Sequence, residues 1–273
     1  MMNKFLCPDP NEKPLDSIPS DGGYCAIFRT IACVGDSLSS GEFESTKADG
    51  SKGYHDFYEY SWGQYIARMC GSKVYNFSKG GMTAKEYCEW FADSKGFWNR
   101  EYASQCYIIA LAVNELLVRG WEIGSINDVC PTDWKKNNME TYAGCYATII
   151  QRYKEIQPDA KFFLMTLPYE TPDTTPHKCE IADRQAELLY QFAELFSNCY
   201  VLDLRKYAPI YDQEFRNTFF LGGHLSPIGY IYTAKMVVAY IDYIIRHHFE
   251  DFRQVGFIGT PYRNTTYDIG EKK

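Results

Sequence analysis

A run of small and β-branched apolar residues, Ile31-Ala32-Cys33-Val34, ends abruptly in Gly35-Asp36-Ser37-Leu38. Such a run reads as a buried strand of a parallel sheet. Gly35 lets the backbone turn at its end. Ser37 then stands just past the carboxyl end of the strand, where open α/β sheets place their ligands. A serine there is a candidate nucleophile for acyl transfer. That chemistry needs an activated hydroxyl, a base within hydrogen-bond reach and donors facing the developing oxyanion. Asp and Ser are also ordinary turn residues, because they hydrogen-bond their own backbone, so the assignment depends on partners elsewhere in the chain. Gly80-Gly81 and Asn114 follow two further apolar runs. Gly81 can present a bare backbone N–H, and Asn114 a side-chain N–H. The base must be one of five histidines. His247 and His248 end the last predicted helix, where a cation suits the dipole, and read as structural. His177 lies in a proline-rich loop and His55 in a long insertion. His224, just before the last helix, can fold back over the sheet edge and is the preferred base.

The elements that must gather these groups are legible as five apolar strands, at 31–34, 73–77, 105–113, 161–167 and 200–204. A short strand over 24–30 is expected to lead into the first. Helices are expected at 60–70, with Gly71 as C-cap, at 84–92, capped by Thr83 or Ser78, at 136–157, at 179–197, and from Ser226-Pro227 to about 248, with Ser at the N-cap and Pro at N1. Strands alternating with helices predict right-handed βαβ units: a three-layer α/β sandwich whose five-stranded, mainly parallel sheet carries helices on both faces. Residues 39–59 form a long polar and aromatic insertion, well placed to build a substrate pocket, and 206–223 reads as irregular. The expected division is an arm over 1–29, a catalytic domain over 30–250 and a tail over 251–273.

Composition narrows the function. At 273 residues the chain can bury the core of one α/β domain, and 45% apolar content argues against disorder. A formal charge of −7 without a basic run argues against nucleic-acid binding. No stretch reads as long enough to cross a membrane, and residues 1–10 lack the apolar core of an export signal. Ten cysteines occur without a Cys-x-x-Cys pair. Cys33, Cys106 and Cys145 lie inside apolar patterns, as free thiols would in a reducing cytoplasm. No zinc-helix motif, Walker loop or Gly-x-Gly-x-x-Gly appears, so neither metal nor cofactor is implied. The Gly-x-Ser-x-Gly elbow of α/β-hydrolases is absent as well. Tyrosine is abundant, at 23 residues, and Tyr- and Trp-rich loops suit a sugar-facing groove. The oligomeric state is left open.

In its four motif blocks the sequence resembles the SGNH, or GDSL-like, hydrolase superfamily, from about residue 31 to 248. The Gly-Asp-Ser-Leu block is complete at Gly35–Leu38, with the family's nucleophile on Ser37. The block Asn-x-Gly-x-x-Gly falls on Asn76 to Gly81, with Ser78 at its first glycine and the oxyanion-hole glycine on Gly81. Gly-x-Asn-Asp becomes Ala112-Val113-Asn114-Glu115, keeping the oxyanion-hole Asn114. Asp-x-x-His becomes Leu221-Gly222-Gly223-His224, with the catalytic histidine on His224. The resemblance implies a flavodoxin-like SGNH fold and a cofactor-free serine esterase acting on small acyl groups, with acetyl esters of carbohydrates as the first expectation. A weakened carbohydrate- or acyl-binding relative and a lysophospholipase or thioesterase are the alternatives. The departure is Leu221, where the family carries the Asp that orients the histidine. A backbone carbonyl can serve instead, an acid from elsewhere such as Asp212 or Glu214 can replace it, or the site is weakened.

Overall fold

The computed structural model describes residue 6 and residues 9–170 and 176–267. Its strands are β1 (Thr30–Gly35), β2 (Glu42–Thr46), β3 (Lys52–Asp56), β4 (Lys73–Ser78), β5 (Cys106–Ala110), β6 (Lys161–Met165), β7 (Cys199–Leu202), β8 (Phe220–Leu221) and β9 (His224–Leu225). Five of them make one sheet in the order β4-β1-β5-β6-β7, every neighbouring pair parallel. Side chains alternate faces along a strand. Ala32, Val34, Tyr107, Ile109, Phe162 and Leu164 therefore face the helices Tyr142–Ile156 and Pro176–Leu195. Ile31, Cys33, Ile108 and Phe163 face the helices Trp62–Cys70 and Pro227–His247. With both faces covered, the central strands β1, β5 and β6 are apolar almost throughout, as the expected sandwich requires, while the edge strand β4 keeps polar positions. After β1 the chain steps to β4 on one side, then crosses to β5 on the other. This reversal opens a crevice outside the carboxyl end of β1.

Several boundaries differ from the sequence expectation. The strand expected over 24–30 is a 3-10 helix, Gly23–Ile27, because Asp242 Oδ1 accepts the Tyr24 N–H at 2.7 Å and Cys25 and Phe28 turn into the core below the sheet. The helix expected from 136 begins at Tyr142. Thr141 caps it, and the chain at Asn138 runs so close to its first turn that a Cβ at Gly144 would fall 1.9 Å from the Asn138 carbonyl oxygen. The insertion after the nucleophile is a β-hairpin, β2 paired antiparallel with β3. The region expected to be irregular holds the helices Leu204–Tyr207 and Gln213–Phe219 and the small hairpin β8–β9.

The final helix, Pro227–His247, starts at the expected Ser226 cap, whose Oγ accepts the Gly229 N–H. It is long and apolar enough to cross a membrane by length and composition, contrary to the reading that no stretch qualifies. Two-thirds of that apolar window is nevertheless buried inside the fold, as befits a core helix. Nine of the ten cysteines are described, all as free thiols. Cys7 and much of the proline-rich loop, residues 171–175, lie outside the described residues.

Candidate active site

Asp36 turns the chain out of β1. Its side chain accepts the Leu38 N–H at 3.0 Å and its carbonyl accepts from Ser39 and Ser40, closing the single helical turn Ser37–Ser40. Gly35 permits the expected turn through close packing, without a left-handed backbone. A Cβ would sit 2.1 Å from Ser39 Oγ and 3.1 Å from the Ala110 carbonyl oxygen, so no larger residue lets this turn close against the strand end. Ser37 is left half-buried. Neither its N–H nor its Oγ has a hydrogen-bond partner among the described residues.

Gly81 follows β4 in a left-handed conformation, φ 73°, with open space where a Cβ would point. Arg119 donates to its carbonyl at 3.1 Å, and its N–H has no partner among the described residues. Asn114 lies beyond β5 and stitches these two turns together. Its Nδ2 donates to the Met82 carbonyl at 3.1 Å and to Asp36 Oδ2 at 3.4 Å. Both amide hydrogens are thereby engaged. Glu115 Oε1 accepts the Ala84 N–H at 3.0 Å, while its Oε2 is buried without a partner. Burial raises both Asp36 and Glu115 to about 7.

His224 opens β9, opposite Leu221 across the hairpin. No hydrogen bond joins it to Ser37. Two carboxylates from β2 bracket the ring instead. Glu42 Oε1 is 3.0 Å from Nε2, and Glu44 Oε2 is 3.8 Å from Nδ1. Glu42 also lies across the glycine turn after β4, where a Cβ at Gly80 would meet its Oε2 at 2.0 Å. Tyr54 on β3 sets its ring edge-on to the imidazole, with centroids 5.7 Å apart. Burial lowers the His224 pKa, and the charges of Glu44 and Asp56 offset this only in part. Burial, aided by Asp56, raises Glu42; Lys52 and the Gly223 N–H hold Glu44 low.

The acids suggested by sequence are elsewhere. Asp212 caps the helix Gln213–Phe219 through the Phe215 N–H, and Glu214 lies within that helix. Sequence reading missed Glu42 and Glu44. The available signal was their i, i+2 spacing directly after the nucleophile, in a segment read as a loop. The other histidines stand apart: His55 Nε2 contacts Ser45 Oγ at 2.9 Å, and His247 Nδ1 contacts the Tyr243 carbonyl at 2.8 Å. Among the described residues, no cluster of three or more His, Cys, Asp or Glu is placed to hold a metal ion.

Two adjoining cavities open beside the nucleophile turn. One, of about 80 Å³, is walled by Asp36, Leu38, Trp62, Met165 and Leu225. The other, of about 130 Å³, shares Leu38, Val113, Leu167 and Phe220 with it and reaches Arg205 and Arg216. Exposed aromatics occur on the segments that carry or adjoin the site residues. Besides Tyr54 there are Trp90, under the ammonium of Lys79, and Trp121, under the guanidinium of Arg119.

Comparison with known proteins gives a consistent picture. The GDSL-like Lipase/Acylhydrolase family matches residues 33–231. No curated protein sequence matches the chain. A carbohydrate esterase family 2 enzyme with a carbohydrate-binding domain, from Corynascus thermopiles (Myceliophthora fergusii), superposes with TM-score 0.52 at 15% identity, covering 84% of this chain and 68% of that one. A family 3 carbohydrate esterase from Clostridium thermocellum gives TM-score 0.50 at 16% identity, over 80% and 96% of the two chains. A possible lipase from Chitinophaga pinensis gives TM-score 0.52 at 16% identity, over 79% and 98%.

Proposed function

Because the chain belongs to the GDSL-like Lipase/Acylhydrolase family, we propose that it is a serine esterase that removes small acyl groups, acetyl above all, from carbohydrate esters. The observation that carries this reading is Ser37 itself. It projects at the carboxyl end of β1, at the point where the sheet order reverses, and its own N–H and that of Gly81 are both without partners among the described residues. His224 takes the Ser37 proton as Oγ attacks the acyl carbonyl. The two backbone donors receive the oxyanion, and Asn114 joins them by giving up the long 3.4 Å contact of its Nδ2 with Asp36 Oδ2. His224 then returns the proton to the leaving alcohol, and water, deprotonated by the same imidazole, releases the acid from the acyl-serine. For the first step His224 Nε2 exchanges Glu42 for the Ser37 hydroxyl. Tyr54, Trp90 and Trp121 offer faces on which a sugar ring can pack.

Incubation with p-nitrophenyl acetate and with acetylated sugars tests the proposal. Wild type turns over, and Ser37→Ala is reduced by about 10³-fold or more; equal rates in the two would sink it. A second reading, a carbohydrate- or acyl-binding protein that has lost turnover, is favoured by one observation. Glu42 holds the Nε2 that the nucleophile needs. A fluorophosphonate separates the two, since only an activated Ser37 is labelled.

A further inference from the structure

We propose that Glu44, reaching His224 from the hairpin inserted after the nucleophile, is the positioning residue that orients the imidazole in place of the acid missing at Leu221. The inference rests on the esterase reading of the preceding subsection. Leu221 cannot do the work. It has no acceptor in its side chain and is 53% exposed. His224 Nδ1 meanwhile is buried and has no hydrogen-bond partner among the described residues. A buried imidazole nitrogen left in that state is costly. The carboxylate facing it is Glu44, with Oε2 at 3.8 Å. That is too long for a formed hydrogen bond. It is within the range from which catalytic contacts tighten when substrate binds.

The local sequence is built around this carboxylate. Gly222 and Gly223 form the turn between β8 and β9, and both are bare where Glu44 enters. A Cβ at Gly222 would meet Glu44 Oε1 at 2.6 Å, and one at Gly223 would meet Oε2 at 3.1 Å. Gly222 is also left-handed, at φ 70°. The Gly223 N–H donates to Glu44 Oε2 at 3.1 Å, and Lys52 Nζ pairs with Oε1 at 2.7 Å. The carboxylate is therefore aimed, charged and almost fully enclosed, its side chain 7% exposed. The charged and titratable groups around the ring are Glu42 and Glu44 from β2 and Lys52, Tyr54 and Asp56 from β3. Of these, Glu44 is the one on the Nδ1 side within 4 Å. Glu42 stands on the Nε2 side, where Ser37 must come.

Four variants test it. In Glu44→Gln the imidazole loses a facing negative charge, so the His224 titration followed by NMR moves to lower pH. On p-nitrophenyl acetate, kcat falls by about 10²-fold while KM changes by less than about twofold. Adding Leu221→Asp to Glu44→Gln restores at least about a tenth of the lost rate. Lys52→Met keeps the carboxylate and removes one of the two groups that aim it, the Gly223 N–H remaining, so kcat falls by much less than in Glu44→Gln. An unchanged titration in Glu44→Gln overturns the proposal, and so does a Lys52→Met loss as deep as that of Glu44→Gln, which would make Glu44 a strut of the hairpin. Should Glu44→Gln fail to fold, Glu44→Asp keeps the charge but withdraws it from the ring, and wild-type kcat in that variant is equally fatal. Wild type without Ser37-dependent turnover would defeat the esterase reading, and the titration would then decide the Glu44 contact on its own.

Discussion

At the scale of single residues, the site depends on what each nitrogen of His224 faces. The imidazole must be neutral to accept the Ser37 proton. Burial lowers its pKa from the usual 6.5, so the neutral form persists to lower pH than for an exposed histidine. The acid limb of kcat/KM for p-nitrophenyl acetate is therefore expected below about pH 6.5; a limb above 7 would contradict the assignment of His224 as base. Glu42 competes with Ser37 for Nε2 from 3.0 Å away. Glu42→Ala removes that competitor, and fluorophosphonate labelling of Ser37 is expected to speed up several-fold. No change in labelling rate would mean that the carboxylate already leaves the ring freely.

At the scale of elements, the β2–β3 hairpin decides the geometry. Phe43 anchors it among Phe57, Tyr60 and Tyr230, with ring centroids 5.5–5.7 Å away. Tyr230, on the final helix, donates its hydroxyl to the Glu42 carbonyl at 2.7 Å and lies 3.4 Å from the Ser37 carbonyl. One phenol thus ties the hairpin, the nucleophile turn and the last helix together. Tyr230→Phe strips that link without opening a cavity. The expected cost is about 1–2 kcal/mol of unfolding free energy from urea melts, with a larger fractional loss in kcat than in stability. Wild-type kcat in Tyr230→Phe would show that the hairpin holds its place without it.

At the scale of the whole molecule, the parallel sheet gathers buried carboxylates at its carboxyl edge. Asp36 and Glu115 both sit near 7 because burial disfavours their charge, and they interact. The sign follows from linkage. Between an unfolded value of about 4.5 and a folded value of about 7, the native state of Glu115 holds the extra proton, so its contribution to stability falls as pH rises through that window. Glu115→Gln removes the titration and keeps an acceptor for the Ala84 N–H. Its stability relative to wild type should grow by roughly 2–4 kcal/mol from pH 4.5 to pH 7. Thermal melts at the two pH values that show a constant difference would refute this.

The sequence by itself determined the sheet, its parallel sense and the order of its helices, because fully buried strands must be continuously apolar and the caps at Thr83, Ser226 and Gly71 are chemically distinctive. It also singled out Ser37, Gly81, Asn114 and His224, since each follows an apolar run or precedes a capped helix. Tertiary structure alone decided what His224 touches. Glu42 and Glu44 meet the ring from about 180 residues away along the chain, through a hairpin whose polar strands, β2 half-buried and β3 mostly exposed, carry little apolar alternation to announce them. Gly222 and Gly223 likewise look like an ordinary turn until Glu44 is seen to occupy the space that their missing side chains leave.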